Sequence, residues 1–134
     1  MLVLKEETVA IASDADVVLV RQLVRRHALE LRFSLVDQTK LVTAASELAR
    51  NALEHGRGGE LLLQILQEPP RSGLRLVFTD RGPGIANVEL AMKDGYTTGG
   101  GLGLGLGGAK RLVNEFAIES TPGSGTRVTV TKWR

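Results

Sequence analysis

The sequence contains no cysteine, few aromatic residues and no long hydrophobic run. Without cysteine it forms no disulfide, thiolate metal site or cysteine nucleophile. One tryptophan, one tyrosine and three phenylalanines leave few rings on which nucleic-acid bases could stack. The apolar runs are far shorter than the roughly 20 residues that cross a membrane, and early acidic residues argue against a signal peptide. These absences predict a cytoplasmic protein that contacts neither nucleic acid nor membrane.

The net charge of +2 at pH 7 is too small to indicate a strong field for nucleic acid. Basic residues nevertheless cluster in one predicted helix, at Arg21, Arg25, Arg26 and Arg32, with His27 among them. Such a cluster is either the solvated face of a helix or a surface on which an acidic protein partner docks. The sequence leaves both interpretations open.

Hydrophobic periodicity predicts the element order β-α-α-β-β-α-α-β-β. The predicted strands are residues 2–12, 59–68, 73–80, 116–122 and 126–133, and the predicted helices are residues 13–33, 34–56, 87–95 and 104–115. The second helix is expected to turn an apolar stripe inward, at Leu41, Ala44, Ala45, Leu48 and Ala52. Strands paired by hairpins, with helices inserted between them, predict one α+β domain over residues 1–134, a mostly antiparallel mixed sheet with helices on one face.

Glycine is unusually dense just before the last predicted helix, in the segment "TTGGGLGLGLGG". Such a segment loses much backbone entropy on folding, which a phosphate held by backbone N–H groups at a helix start would offset. Gly103, Gly105 and Gly108 fit G-x-G-x-x-G, but no strand precedes them and no acidic residue follows at the distance a dinucleotide site needs. Lys110 follows Ala109 rather than glycine, so the Walker motif also fails, and the eukaryotic-type kinase motifs are absent.

Two other short stretches carry polar residues suited to nucleotide chemistry. In "ELARNALEHG", Glu47 and Asn51 lie four residues apart and share a helix face, where they could accept a proton and hold a hydrated Mg²⁺. In "FTDRGPGI", Asp80 ends a strand and could accept a hydrogen bond from an exocyclic amine, while Gly82 and Gly84 let a flat base approach. Taken singly, the first stretch is better interpreted as a solvated helix face, and the second is also typical of an ordinary turn.

In this order, "ELARN", "DRGPGI", the glycine segment and "GSGT" resemble the N, G1, G2 and G3 boxes of the GHKL ATPase superfamily. Longer stretches, such as "VDQTKLVTAASELARNALEHG" and "MKDGYTTGGGLGLGLGGAKRLVNEFAIES", look like the RsbT-like switch kinases of the stressosome. The anti-sigma-factor kinases RsbW and SpoIIAB are similar but less close. The resemblance implies the GHKL (Bergerat) ATP-binding fold, with ATP and Mg²⁺ as cofactors.

The resemblance also implies a role for each matched residue. Glu47 would be the general base and Asn51 the Mg²⁺ ligand. Asp80 would bind the adenine amino group in a pocket shaped by Gly82 and Gly84. The hydroxyl of Thr126 would support Asp80 or a water beside the base. The lid over the phosphates would be residues 99–108, and the nucleotide contacts expected around it are Thr97, Thr98, Gly99, Gly100, Gly101, Leu102, Gly103, Leu104 and Gly105.

The function implied is that of a serine/threonine protein kinase in a stress-response partner-switching pathway. Its substrate would be a STAS-domain protein (RsbS- or RsbR-like), and when released it would bind and activate a PP2C-type phosphatase (RsbU-like). The alternative is an anti-sigma factor that sequesters a sigma factor. A histidine kinase is disfavoured. The chain has two histidines, His27 and His55, and His55 lies in the nucleotide box itself. A plain ATPase ranks lowest, since nothing here couples hydrolysis to the motion of another domain.

Overall fold

The computed structural model describes residues 1–93 and 105–134. The strands are β1 (Leu2–Ile11), β2 (Gly59–Glu68), β3 (Arg71–Asp80), β4 (Glu115–Thr121) and β5 (Gly125–Trp133). The helices are α1 (Asp14–Glu30), α2 (Leu35–Glu54), α3 (Val88–Ala91) and α4 (Gly105–Arg111). Within the described residues, this is the element order that the sequence predicts.

The strands form one sheet in the order β1-β2-β3-β5-β4. Every pairing among the described residues is antiparallel, so the sheet contains no parallel pair there, although a mixed sheet was expected. The register aligns alternate apolar residues across the central strands, as at Leu61, Phe78 and Val128. One face of the sheet therefore presents a continuous apolar surface.

The helices cover that apolar face, as predicted. The predicted inward stripe of α2 is buried at all of its positions, Leu41, Ala44, Ala45, Leu48 and Ala52. Its alanines allow the helix backbone to approach the sheet closely. Helix α1 packs beside α2 and buries Val17, Val20 and Val24 in the same core. This packing fixes the C-terminal end of α2 over the end of β3. Among the described residues no helix is long and apolar enough to cross a membrane.

Two predicted helix ends extend too far. The first helix ends at Glu30 rather than near Phe33, because Arg32 adopts a left-handed conformation with φ of 63°. The Phe33 N–H then donates to the Ala28 carbonyl at 3.0 Å, which closes the helix end and turns the Phe33 ring into the core. The last helix ends at Arg111 and not at Glu115, which begins β4.

The early end of α4 has a cause in β5. The Asn114 N–H donates to the Thr131 carbonyl at 3.0 Å, and the Asn114 side chain accepts from the Trp133 N–H at 2.7 Å. These bonds draw the chain into the sheet before a further helical turn can form. The third helix is also shorter than residues 87–95, and Asn87 caps it by accepting from the Leu90 N–H at 2.9 Å.

Candidate functional site

A cavity of about 280 Å³ lies between the C-terminal half of α2, the end of β3, the loop that follows β3, and α4. Its walls are mainly apolar, from Leu48, Ala52, Phe78, Ile85, Ala91, Leu106 and Val128. Its polar groups come from Asn51, His55, Asp80 and Thr126. An apolar cleft with a few convergent polar groups is the usual form of a small-molecule site. Three predicted site residues from separate stretches, Asn51, Asp80 and Thr126, therefore meet in one place.

The carboxylate of Asp80 has one oxygen engaged and one open. Its Oδ1 accepts from the Gly82 N–H at 3.0 Å, which fixes the rotation of the side chain. Among residues 1–93 and 105–134, Oδ2 accepts no hydrogen bond, and it lies against Gly56. Asp80 thus presents an oriented acceptor at the cavity wall, as a group that recognises an exocyclic amine requires.

Glycines surround Asp80 so closely that no side chain could replace them. A Cβ on Gly56 would overlap the Asp80 carboxylate, and one on Gly125 would overlap the Asp80 carbonyl oxygen. A Cβ on Gly82 would lie 2.6 Å from the Gly56 Cα. Gly56 and Gly125 were missed as site residues, because in the sequence they look like a helix stop and a hairpin turn. We call this group, with Thr126, the Asp80 end of the cavity.

The loop after β3 is tied to the hairpin of β4 and β5. The Gly123 N–H donates to the Pro83 carbonyl, and the Ile85 N–H donates to Ser120 Oγ, both at 2.7 Å. Gly84, with φ of 77°, has no room for a Cβ against the Thr121 carbonyl. Of the two predicted glycines, Gly84 lines the cavity, and Gly82 lies behind it against Gly56. Ser120 was not predicted, since a lone serine in a strand carries no signal.

Asn51 and Glu47 occupy different depths of the same helix face. Asn51 is half-buried and lines the cavity, whereas Glu47, one turn earlier, is only 5% exposed and is not among the described residues that line it. The part of the chain that the structure describes holds no cluster of three or more carboxylates and histidines that could bind a metal. The Asn51 carboxamide oxygen is a ligand that suits Mg²⁺. This ion completes its coordination shell with water and phosphate oxygens.

The glycine segment is described only in its last part. Gly105 and Leu106 line the cavity, and residues 105–108 form the first turn of α4 instead of loop. The other predicted nucleotide contacts lie outside the described residues, namely Thr97, Thr98, Gly99, Gly100, Gly101, Leu102, Gly103 and Leu104.

The predicted basic cluster divides between the two sides of α1. Arg21 and Arg25 are exposed and form no ion pair with any residue that the structure describes. One turn before and one turn after them, the same side of the helix exposes Val18 and Leu29. We call these four residues the outer face of α1.

The inner side of α1 corrects one expectation. His27 is not part of the basic surface, because it falls on the inward stripe of α1 and is completely buried. Its Nε2 lies 3.0 Å from Glu7 Oε1 on β1, and Arg26 reaches the same oxygen at 3.4 Å. Burial alone would raise the pKa of Glu7, but hydrogen bonds and charges from Lys5 and His27 outweigh it and lower that pKa.

Comparison with known proteins places this cavity in a family. The family described as histidine kinase-, DNA gyrase B-, and HSP90-like ATPase matches residues 36–134, which include α2 after its first residue, the cavity and the whole sheet except β1. The chain belongs to this family. The RsbT-like resemblance is also confirmed, since the chain is 41% identical over 128 residues to serine/threonine-protein kinase RsbT of Bacillus subtilis, covering 96% of each.

A second curated relative and a solved structure are also similar to this chain. An anti-sigma F factor of Thermoanaerobacter is 29% identical over 117 residues, covering 84% of this chain and 82% of that one. The crystal structure of the RsbU and RsbW domains of a Mycobacterium tuberculosis protein superposes with a TM-score of 0.66 at 24% identity, over 97% of this chain and 33% of that one. The GHKL fold is thereby confirmed, and the family description makes ATP the nucleotide to consider.

Proposed function

We propose that this chain is a serine/threonine protein kinase that transfers the γ-phosphoryl group of ATP to a STAS-domain protein. After release, it binds and activates a PP2C-type phosphatase. The observation that carries the proposal is the convergence of Asn51 and Asp80 on one cavity, with Glu47 one helical turn before Asn51. The relative with 41% identity, whose name includes this kinase activity, supports it.

Asp80 and the apolar walls bind the base. The open Oδ2 accepts a hydrogen bond from the adenine amine, while Phe78, Ile85 and Val128 exclude water from the ring. The adenine ring enters a cavity whose wall is already fixed by the hydrogen bonds from Ile85 to Ser120 and from Gly123 to Pro83. Little ordering is then left for the binding step, which favours affinity.

Asn51 and Glu47 serve the phosphate end. The Asn51 carboxamide oxygen would hold Mg²⁺, which when bound neutralises charge on the phosphate oxygens. Glu47 accepts the proton of the substrate serine hydroxyl while the serine oxygen bonds to the γ-phosphorus. The bond between the γ-phosphorus and the bridging β-phosphate oxygen breaks at the same time. ADP leaves, and the phosphoserine carries the transferred group. General base assistance of this kind is worth about 10²- to 10⁴-fold in rate.

The test is transfer of labelled γ-phosphate from Mg-ATP to a STAS-domain protein encoded near this chain. Glu47→Gln keeps the size of the side chain and removes the base, so label on the partner serine falls at least about 100-fold. Glu68→Gln, the same change at the far end of β2, leaves transfer unchanged. Transfer that survives Glu47→Gln undiminished contradicts the role of Glu47, and ATP binding without transfer contradicts the kinase.

The outer face of α1 is the surface we assign to protein partners. Exposed arginines that form no ion pair with a described residue attract acidic groups, and the exposed Val18 and Leu29 add apolar contact area. A partner that presents carboxylates around an apolar patch therefore matches this face. The same face could serve the substrate and the phosphatase in turn, which makes their binding mutually exclusive.

A second candidate function is an anti-sigma factor that sequesters a sigma factor. The similarity to an anti-sigma F factor over 84% of this chain favours it. Purified STAS-domain protein, PP2C-type phosphatase and sigma factor, each titrated against the chain with and without Mg-ATP, separate the two. A sigma factor that binds while the STAS protein receives no label supports the alternative.

A further inference from the structure

The hydroxyl of Ser120 lies in β4 behind the cavity wall and has no part in the proposed transfer. Its oxygen is 2.7 Å from the Ile85 nitrogen and 2.8 Å from Thr126 Oγ1. It also lies 3.3 Å from the Gly125 carbonyl oxygen. Because Ile85 and Thr126 both line the cavity, Ser120 joins two parts of its wall.

A serine hydroxyl has one proton to donate, and the surrounding groups decide its direction. The Ile85 nitrogen can only donate, so it occupies a lone pair of Ser120 Oγ. The proton then has two acceptors within reach, Thr126 Oγ1 at 2.8 Å and the Gly125 carbonyl at 3.3 Å. The shorter distance is the ordinary length of an O–H···O bond, whereas the longer one exceeds its usual range. Thr126 Oγ1 is therefore the better placed of the two acceptors for this proton.

We propose that Ser120 is a positioning residue that makes Thr126 a hydrogen-bond donor toward the nucleotide base. Once Thr126 accepts from Ser120, its own proton is available to the cavity. The bonds then run in one direction, from the Ile85 N–H through Ser120 and Thr126, and each polarises the next. Thr126 is also the register partner of Asp80, so a donor and an acceptor stand side by side.

This arrangement selects adenine over guanine, an inference that rests on the proposed binding of ATP. Adenine presents an amine donor beside the N1 acceptor, which matches an Asp80 acceptor beside a Thr126 donor. Guanine presents the O6 acceptor beside an N1–H donor, so it opposes both groups. A site with fixed polar groups rejects a mismatched partner because those groups are left unpaired. Ser120 fixes one of the two.

The test compares dissociation constants of Mg-ATP and Mg-GTP for Ser120→Ala by isothermal titration calorimetry. Without Ser120, the Thr126 hydroxyl can turn either its proton or a lone pair to the base. Affinity for ATP then falls about three- to tenfold, while affinity for GTP stays constant or rises, so the ratio between them drops. Ser124→Ala, the same change at an exposed turn residue of the hairpin, leaves both constants unchanged.

Thr126→Val gives an independent check, because it removes the hydroxyl that Ser120 directs. Adding Ser120→Ala to it changes the ATP-to-GTP ratio no further, although each change alone lowers it. If Ser120→Ala does not fold, Ser120→Cys keeps the volume with a weak donor and carries the same expectation.

If Ser120→Ala lowers the affinities for ATP and GTP equally, the positioning role is overturned, because a merely structural residue would affect both affinities alike. An additive effect of the two changes on the ratio overturns it as well. An unmodified chain that binds no ATP contradicts the proposed function itself. ATP binding with a ratio that Ser120→Ala leaves unmoved contradicts Ser120 alone.

Discussion

The Asp80 end of the cavity and the outer face of α1 are built in opposite ways. At the Asp80 end, the Gly82 N–H, the close glycines and the Ser120 hydroxyl hold the side chains of Asp80 and Thr126 in place. On the outer face of α1, Arg21 and Arg25 have no ion pair among the described residues and stand beside exposed apolar side chains. The first pattern suits a small ligand of constant shape, and the second suits partners supplied by another molecule. Substitutions should therefore separate nucleotide binding from partner binding.

The largest effect is expected at the glycine cradle. Gly125→Ala drives a Cβ into the Asp80 carbonyl oxygen, so β3 must move and ATP affinity falls at least about 100-fold, with a loss of stability of about 3 kcal/mol. Gly123→Ala is the matched control, since φ is 83° there and 85° at Gly125, but a Cβ meets nothing within 4 Å. It has only the left-handed strain, about 1 kcal/mol. Calorimetric titration and urea unfolding measure both; equal effects in the two variants would contradict the cradle.

A smaller and more selective loss is expected from Asp80→Asn. The amide oxygen can still accept from the Gly82 N–H, but an NH₂ group then faces the amine of the base instead of Oδ2. ATP affinity falls about tenfold or more, as for a lost hydrogen bond to a charged group, while the unfolding temperature stays nearly constant. Asp14→Asn, an exposed change at the start of α1, should leave ATP affinity alone. A matching loss of thermal stability in Asp80→Asn would instead indicate a structural role.

Substitutions on the outer face of α1 should lower partner affinity and leave ATP affinity unchanged. Arg21→Glu combined with Arg25→Glu repels an acidic partner and lowers its affinity about tenfold, with a steep dependence on salt, while ATP affinity is unchanged. Lys40→Glu, a single exposed charge reversal on α2, is the control for nonspecific charge effects. Binding to the STAS-domain protein by surface plasmon resonance gives the answer. Partner affinity unaffected by the double reversal would show that docking occurs on another surface.

The sequence predicted the order of elements and most of the cavity, because both depend on local signals. Periodicity marks the helices and strands, and Asn51 and Asp80 each stand in a short stretch with typical glycines or carboxylates nearby. What it missed depends on contacts between distant segments. Ser120 and Gly125 matter only because β4 and β5 bring them against the loop after β3. The end of α4 likewise depends on Asn114 bonding to β5, which no local pattern encodes.

His27 shows the same limit within a single helix. The sequence groups it with four arginines, yet its inward position places it beside Glu7, twenty residues earlier on β1. The charge pattern of a helix does not reveal which of its charged or polar residues face the core, because that depends on polar groups on the neighbouring strand. An inward histidine is recognised only when the opposing strand, and the carboxylate it carries, are known.

The smallest effect is expected on that inner side of α1, at Glu7. Because the folded state lowers its pKa, Glu7 stabilises the fold above the ordinary carboxylate range, and that contribution is lost as pH falls through the lowered value. Glu7→Gln should thus reduce the free energy of unfolding at pH 7 by under about 1 kcal/mol, with the difference shrinking in acid. Glu6→Gln, its neighbour, which accepts from Gln64 on β2, is the control. Urea unfolding at neutral and acid pH measures the stability of both variants. A stability difference for Glu7→Gln that grows as pH falls would contradict a lowered pKa of Glu7.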